Sequence, residues 1–184
     1  MKFTELAIPG TYRITPNLLA DERGFFNRLY CAEEFGEAGL ISNYVQINHS
    51  LSRDQGTLRG FHYQLAPQWE TKVLRCMGGK LYDQLLDLRR DSSTFGQTCA
   101  ITLDAESHEM VYIPEGVAHA FLTLAPDTIA LYLVSAPYTP ELERGIRWND
   151  PAFDITWPFE PAVISEKDRN HPDFDAAHHL VSTY

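Results

Sequence analysis

The six residues Arg59 to Gln64 (RGFHYQ) contain the densest group of side chains in the sequence that could do chemistry. His62 is a candidate general base, because the unperturbed pKa of imidazole is about 6.5. Arg59 is a candidate oxyanion ligand, since a guanidinium can bind a phosphate through two hydrogen bonds. Strict alternation along a strand would place these two side chains on opposite faces, but Gly60 predicts a bulge that turns both into one pocket. The alternative is an ordinary hydrogen-bonded histidine in the core, which is the more common case for a single histidine.

Three further segments carry candidate groups. Tyr132 lies in an otherwise apolar strand and is either a general acid or a core tyrosine whose hydroxyl needs a partner. Arg23 and Phe26 lie in and just after a turn and are candidates for a second anion ligand and a stacking surface, although a plain hairpin explains them too. Asp168 belongs to a charged stretch that is a solvated loop by default, and it would orient the His62 ring only if the fold brings the two together.

Metal binding has to be weighed because the sequence contains seven histidines. Residues 114–119 (PEGVAH) resemble the second half of the cupin metal motif and end at His119. The first half requires His-x-His, and the corresponding residues 62–64 (HYQ) lack one of the two. A metal site needs three or four convergent ligands, so we predict no catalytic metal. The pair 178–179 (HH) is predicted to be solvated.

Sequence signatures of common cofactors and nucleophiles are missing. The sequence has neither a G-x-x-x-x-G-K-[ST] loop nor a strand-linked G-x-G-x-x-G, and it has no G-x-S-x-G elbow. The sequence therefore gives no motif evidence for ATP binding, NAD binding or serine-hydrolase activity, and no cofactor is predicted.

The candidate groups must be positioned by short strands, which are predicted for most of the chain after one short helix at 32–39. Eight runs between Gly, Pro, Asp and Ser residues are predicted as strands: 44–49, 58–64, 72–77, 80–88, 97–103, 109–113, 118–124 and 128–135. This spacing is typical of an antiparallel sandwich or barrel. Gly78-Gly79 predicts a hairpin, 114–116 a turn, and the residues from 137 onward are predicted to form ordered loops and a short tail helix on the barrel.

Ionisable side chains alternate with apolar ones on several of these strands. Lys72 shares a face with Leu74, and His119 shares one with Phe121. Asp83 lies among leucines on its face. A solvent-facing side of the sheet would explain any one of them, but several strands with the same pattern favour a barrel interior that holds a ligand.

Length and composition restrict the class of protein further. The 184 residues, 44% of them hydrophobic, predict one globular domain over 1–184, with 160–184 as a C-terminal loop and helix tail. The formal charge of −10 argues against nucleic-acid binding. Three separated cysteines without a CxxC pair predict reduced thiols and a cytoplasmic location. No signal peptide or membrane span is recognised in the sequence.

The motifs taken together resemble the dTDP-4-dehydrorhamnose 3,5-epimerase family, which are metal-independent cupins. The match runs from about Pro9 to Pro172. The segments that carry it are DERGFF at 21–26, VQINHS at 45–50, GTLRGFHYQ at 56–64, KVLR at 72–75, DLR at 87–89, STFG at 93–96, IPEGVAH at 113–119 and IRWNDP at 146–151. The resemblance implies an all-β, cupin-type jelly-roll barrel with short peripheral helices. It also implies a homodimer that exchanges N-terminal strands.

The resemblance also implies a reaction. Members abstract protons next to the C4 ketone of a nucleotide-diphosphate-linked 4-keto-6-deoxyhexose and return them on the opposite face at C3, C5 or both. His62 matches the base and Asp168 the carboxylate that pairs with it. Lys72 matches the cation near O4, and Tyr132 matches the acid on the other ring face.

The same resemblance assigns binding residues and shows departures from the family pattern. Arg23 and Arg59 match diphosphate ligands and His119 a residue near the sugar. The other lining positions are Phe26, Gln46, Asn48 and Tyr138. The departures from the family pattern are Arg28, Ile47, Phe61, Glu70, Ala120, Leu133 and Pro137. The family pattern usually has Gln at position 70. The alternatives left open are a single-centre epimerase of another nucleotide-linked ketosugar and a non-catalytic sugar-nucleotide-binding cupin.

Overall fold

Two facing antiparallel sheets make up most of the computed structural model, which describes residues 1–180. The first sheet has the spatial order β1 (Lys2–Glu5), β2 (Tyr12–Thr15), β10 (Met110–Ile113), β7 (Lys72–Gly78), β12 (Thr128–Val134) and β5 (Gln46–Ser52). The second has the order β13 (Glu143–Gly145), β6 (Thr57–Gln64), β11 (Val117–Thr123), β8 (Lys80–Asp87) and β9 (Thr98–Asp104), with β14 (Val163–Ile164) parallel to β6. A separate hairpin joins β3 (Leu18–Asp21) to β4 (Gly24–Asn27). The helices are α1 (Ala32–Glu37), α2 (Glu166–Arg169) and α3 (Ala176–His179).

This architecture is the predicted all-β jelly-roll barrel. Its core lies between the sheets, where Leu74 and Ile113 of the first sheet pack with Leu85 and Phe121 of the second. The outer face of the first sheet is covered by the N-terminal segment and by Phe35 of α1. The outer face of the second is covered by the C-terminal segment. Because both sheets are covered outside and packed inside, the barrel is a firm support for side chains at its open end.

The connection at Gly78-Gly79 differs from the prediction. β7 pairs with β10 and β12, whereas β8 pairs with β9 and β11, so the chain crosses from one sheet to the other at this point. The predicted hairpin is therefore wrong. Gly79 has a φ of +72°, and a Cβ there would lie 2.6 Å from Thr128 Oγ1, so the crossing needs glycine. The predicted turn at 114–116 is present, and it too connects the two sheets.

The C-terminal segment packs on the barrel, as expected. Trp157 donates from Nε1 to the carbonyl of Trp148 at 2.9 Å and packs against Phe61 of β6. The prediction of a solvated histidine pair is wrong for His179, which is fully buried because α3 folds back onto the barrel. Its Nε2 lies 3.2 Å from the carbonyl of Gly145. No helix within residues 1–180 is long and apolar enough to cross a membrane.

Candidate active site

A cavity of about 670 Å³ opens between the two sheets. Its walls come from β5, β12 and β7 on one side and from β6 and β11 on the other, and α2 closes one edge. The sequence-predicted residues that line it are Gln46, Asn48, Arg59, His62, Lys72, His119, Tyr132, Tyr138 and Asp168. Nine of the eleven predicted site residues are therefore brought together in a single chain.

His62 reaches this cavity because β6 bulges beside it. The pairing of β6 with β11 shifts register between His62 and Arg59, and Gly60 between them has a φ of +113°. A Cβ on Gly60 would lie 2.5 Å from the carbonyl oxygen of His119, so only glycine fits against β11. The predicted bulge is confirmed, and it lets Arg59 and His62 line the same cavity.

Asp168 is returned to His62 by the C-terminal segment. Ser165 caps α2 by accepting a hydrogen bond from the backbone N–H of Asp168 at 3.0 Å. Asp168 Oδ1 then lies 2.6 Å from His62 Nε2, and Oδ2 accepts from the backbone N–H of Gly60 at 3.3 Å. With Nε2 engaged as the donor, Nδ1 of His62 is left as the nitrogen with a free lone pair.

A second imidazole lies beside the same carboxylate. His171 Nε2 is 3.5 Å from Asp168 Oδ1, and its ring packs edge-on to that of His62. Burial alone would raise the pKa of Asp168, but the neighbouring His171 and His62 rings and the Gly60 N–H outweigh it and lower that pKa. Asp168 therefore stays ionised at neutral pH. The ligand atoms of these three side chains lie within 4.8 Å of one another, so they could hold a metal ion, but Asp168 and His62 already satisfy each other directly.

Lys72 and Tyr132 come from the opposite sheet. Lys72 is buried, and its ammonium donates to the carbonyl of His62 at 3.2 Å and lies 2.8 Å from Glu70 Oε1. Tyr132 lies opposite Asn48 in β5 and Leu74 in β7, so its phenol points into the barrel. Burial raises the pKa of Tyr132, with a smaller lowering by Arg59, so the phenol stays protonated at neutral pH.

His119, which lines the cavity, belongs to a second His–Asp pair. His119 Nδ1 lies 3.0 Å from Oδ1 of Asp83, which is fully buried. Burial raises the pKa of Asp83 and lowers that of His119, because a charge on either group loses its hydration there. The face of alternating ionisable and apolar residues predicted for Asp83 and His119 is thus an inward face.

The mouth of the cavity carries polar and cationic groups. Arg59 is anchored through Nε to Ser52 Oγ at 3.1 Å, which leaves donors free for a ligand. Tyr138 donates its backbone N–H to Gln46 Oε1 at 3.2 Å and its hydroxyl to Glu143 at 2.9 Å. These contacts hold the mouth in one arrangement.

Arg23 and Phe26 do not line this cavity. They lie on the β3–β4 hairpin, where the Arg23 side chain is 84% exposed and forms an ion pair with Asp21 at 2.5 Å. Phe26 is also exposed. Within one chain, the structure leaves these two predicted ligands outside the site.

Several residues of the site had no functional role predicted from the sequence. Glu70 lies two residues before Lys72, just ahead of β7, and in extended backbone this spacing would have indicated their contact. His171 follows Asp168 by three residues but lies beyond the end of α2, so helical spacing alone would not have indicated their contact. Glu143 and Lys167, which form an ion pair at the mouth, come from distant segments and give no sequence signal.

Known proteins of one family are similar to this chain in sequence and in overall structure. The family model described as dTDP-4-dehydrorhamnose 3,5-epimerase matches residues 5–176. A dTDP-4-dehydrorhamnose 3,5-epimerase of Pseudomonas aeruginosa is 43% identical over 176 residues, 95% of this chain and 96% of that protein. The crystal structure of the Bacillus anthracis enzyme of that name, with TDP and PPi bound, has a TM-score of 0.91 and 38% identity, covering 94% of this chain and 99% of that one. A 3′-monoepimerase from Streptomyces bikiniensis in complex with dTDP-quinovose has a TM-score of 0.85 and 34% identity, covering 91% and 85%.

Proposed function

The chain belongs to the dTDP-4-dehydrorhamnose 3,5-epimerase family, and we propose that it epimerises a nucleotide-diphosphate-linked 4-keto-6-deoxyhexose at C3, C5 or both. The observation that carries the proposal is one cavity in which His62 of one sheet pairs with Asp168 of α2, while Lys72 and Tyr132 come from the other sheet. Base, counter-charge and acid are the three functions that inversion next to a ketone requires.

Proton removal is assigned to His62. The C4 ketone acidifies the neighbouring C–H bonds, and His62 takes the proton on Nδ1, the nitrogen that Asp168 leaves free. The imidazolium that forms is stabilised by the ionised carboxylate 2.6 Å from Nε2. Asp168 also holds the ring orientation, which makes it a partner of the base rather than a second base.

Lys72 is assigned to stabilise the negative charge that develops on O4 of the sugar. Its ammonium is buried and held by two contacts, so it needs no reorganisation as the enolate forms. The imidazole of His119 lines the same cavity and is a further hydrogen-bonding group for the sugar.

Reprotonation is assigned to Tyr132. Inversion needs a donor on the ring face opposite the base, and Tyr132 lies on the sheet that faces the one carrying His62. Its raised pKa keeps the phenol protonated until it gives the proton to carbon. The phenolate then regains a proton from solvent.

Arg59 is assigned to the diphosphate, with Gln46, Asn48 and Tyr138 along the nucleotide or sugar. We propose further that the chain forms a homodimer in which the β3–β4 hairpin carries Arg23 and Phe26 into the partner's cavity. Support comes from four exposed apolar side chains on this hairpin, which a single chain leaves uncovered: Leu18, Leu19, Phe25 and Phe26.

The dimer has a test by complementation. R23A and H62A should each have low activity alone. Mixed after gentle dissociation, they should regain activity, because one cavity of each heterodimer then holds His62 from one chain and Arg23 from the other. No recovery in heterodimers verified by mass would refute the exchange of hairpins.

The reduced cysteines and the sugar-nucleotide substrate also lead us to propose a cytoplasmic location.

The reaction is tested with dTDP-4-keto-6-deoxyglucose in D2O, followed by proton NMR. Deuterium at both C3 and C5 supports the double epimerase. Label at one carbon supports a single-centre enzyme, an alternative favoured by the similarity to the Streptomyces bikiniensis 3′-monoepimerase. Binding without label, repeated with GDP-, CDP- and UDP-linked ketosugars, would refute catalysis and leave a sugar-nucleotide-binding protein.

A further inference from the structure

Glu70 is a largely buried carboxylate in the cavity wall that the reaction described above does not use. Its Oε1 lies 2.8 Å from Lys72 Nζ, and the two side chains are only 11% and 9% exposed. Taking two charges out of water costs free energy that their attraction often does not recover. A buried ion pair at this position is therefore poor evidence for a stability role and directs attention to what the pair does for the cavity.

The backbone next to Glu70 is fixed through Thr71. The intervening residue, Thr71, accepts a hydrogen bond from the backbone N–H of Ser135 at 3.0 Å. Its own N–H donates to Ser135 Oγ at 2.8 Å. These bonds tie the start of β7 to the end of β12, so the Glu70 carboxylate is held by a rigid support.

The ammonium of Lys72 has three N–H donors. One is directed to Glu70, and a second to the backbone carbonyl of His62, the proposed base. These two acceptors fix the long lysine side chain, which would otherwise sample many rotamers. The third donor is then the one available to a ligand oxygen in the cavity.

We propose that Glu70 is a positioning residue for the proposed epimerisation: its carboxylate oxygen holds the Lys72 ammonium in place, so that the remaining N–H is presented to the developing O4 enolate. This inference rests on the proposed function for its chemistry and on the two contacts of Lys72 for its geometry. Glu70 also acts on the acid of the reaction, since its negative charge adds to the burial that raises the pKa of Tyr132.

Two variants of Glu70 distinguish its positioning of Lys72 from the effect of its negative charge. E70A removes the acceptor, whereas E70Q keeps an oxygen at the same place and removes the charge. E109Q is the matched control, because Glu109 forms an ion pair with Arg13 at 2.5 Å and is not among the residues that line the cavity. For each protein, kcat and KM for epimerisation, the thermal midpoint and the crystal structure are determined.

We expect E70A to lower kcat by about 10- to 150-fold, the equivalent of one lost charged hydrogen bond, with a much smaller change in KM. We expect E70Q to restore kcat to within about threefold of the wild type, because its amide oxygen still accepts from Lys72. E109Q should keep the wild-type kcat. In the E70A crystal structure, Lys72 Nζ should leave the carbonyl of His62.

Several results would overturn the proposal. The proposal is wrong if E70A keeps the wild-type kcat, if E70A and E70Q lower kcat equally, or if E109Q lowers kcat as much as E70A does. An unmoved Lys72 in the E70A crystal would do the same. A wild-type protein that catalyses no exchange refutes the proposed function instead, and the position of Lys72 in the E70A crystal still decides whether Glu70 holds it.

Discussion

Replacing Asp168 by Asn tests the centre of the proposed mechanism. The side chain is 5% exposed, and its two oxygens contact His62 Nε2 at 2.6 Å and the Gly60 N–H at 3.3 Å. Asn has the same shape but no charge. If its amide oxygen faces His62, the imidazolium loses its counter-ion. If its NH2 faces His62, the ring must hold its proton on Nδ1 and can no longer act as a base there.

The size of the effect follows from the contact that is lost. A hydrogen bond between a charged pair contributes about 1.5–3 kcal/mol. At about 1.36 kcal/mol for each factor of ten in rate, D168N should lower kcat by roughly 10- to 150-fold. KM should change little, because both carboxylate oxygens are already engaged by protein groups, the His62 ring and the Gly60 N–H.

The assay is the rate of deuterium incorporation into dTDP-4-keto-6-deoxyglucose in D2O, measured over a range of substrate concentrations. The matched control is D150N. Asp150 is also a buried carboxylate, but it accepts hydrogen bonds from the backbone N–H groups of Ala152 and Phe174, and it is not among the residues that line the cavity. A folded D168N protein with kcat within about threefold of the wild type would refute the assignment of Asp168 as the partner of the base.

Three other predictions concern the acid, the anion ligand and acid stability. Y132F should still exchange substrate hydrogen for deuterium through His62 but give little inverted product; equal losses of exchange and inversion in NMR time courses would contradict two-sided catalysis. R59A should raise KM by about 10- to 150-fold, which is the effect of losing one charged hydrogen bond. It should also weaken the salt dependence of KM. If neither KM nor its salt dependence changes, Arg59 does not bind the diphosphate. The pKa of Asp168 is lower in the folded protein than the unfolded value of about 3.9, so its stabilising contribution is complete above that value and declines as the pH falls below it. D168N should therefore lose less stability than the wild type between about pH 5 and pH 2 in acid denaturation followed by circular dichroism; parallel curves would contradict this.

The strands and most of the chemistry were predictable from local patterns. The alternation of polar and apolar residues depends only on the two-residue period of a strand, so it identified the inward faces that carry Lys72 and His119. Glycine's conformational freedom is also local, and Gly60 was correctly predicted to mark a bulge. The family resemblance then indicated which of these groups act together.

The tertiary structure decided what local patterns could not. Gly78-Gly79 has the sequence of a hairpin, but it crosses between sheets, because partners of β7 and β8 lie far away in sequence. His179 was expected in solvent and is buried, since packing of α3 on the barrel depends on surfaces made by other segments.

The same reason governs the site. Asp168 is separated from His62 by 106 positions, and only the returning C-terminal segment brings them to 2.6 Å. The residue types of this protein, and the faces on which they lie, follow from the sequence by itself. How closely His62 meets Asp168, and which sheet carries each of the other groups, depends on contacts between distant segments, and it was decided only by the packing of the C-terminal segment and of the two sheets.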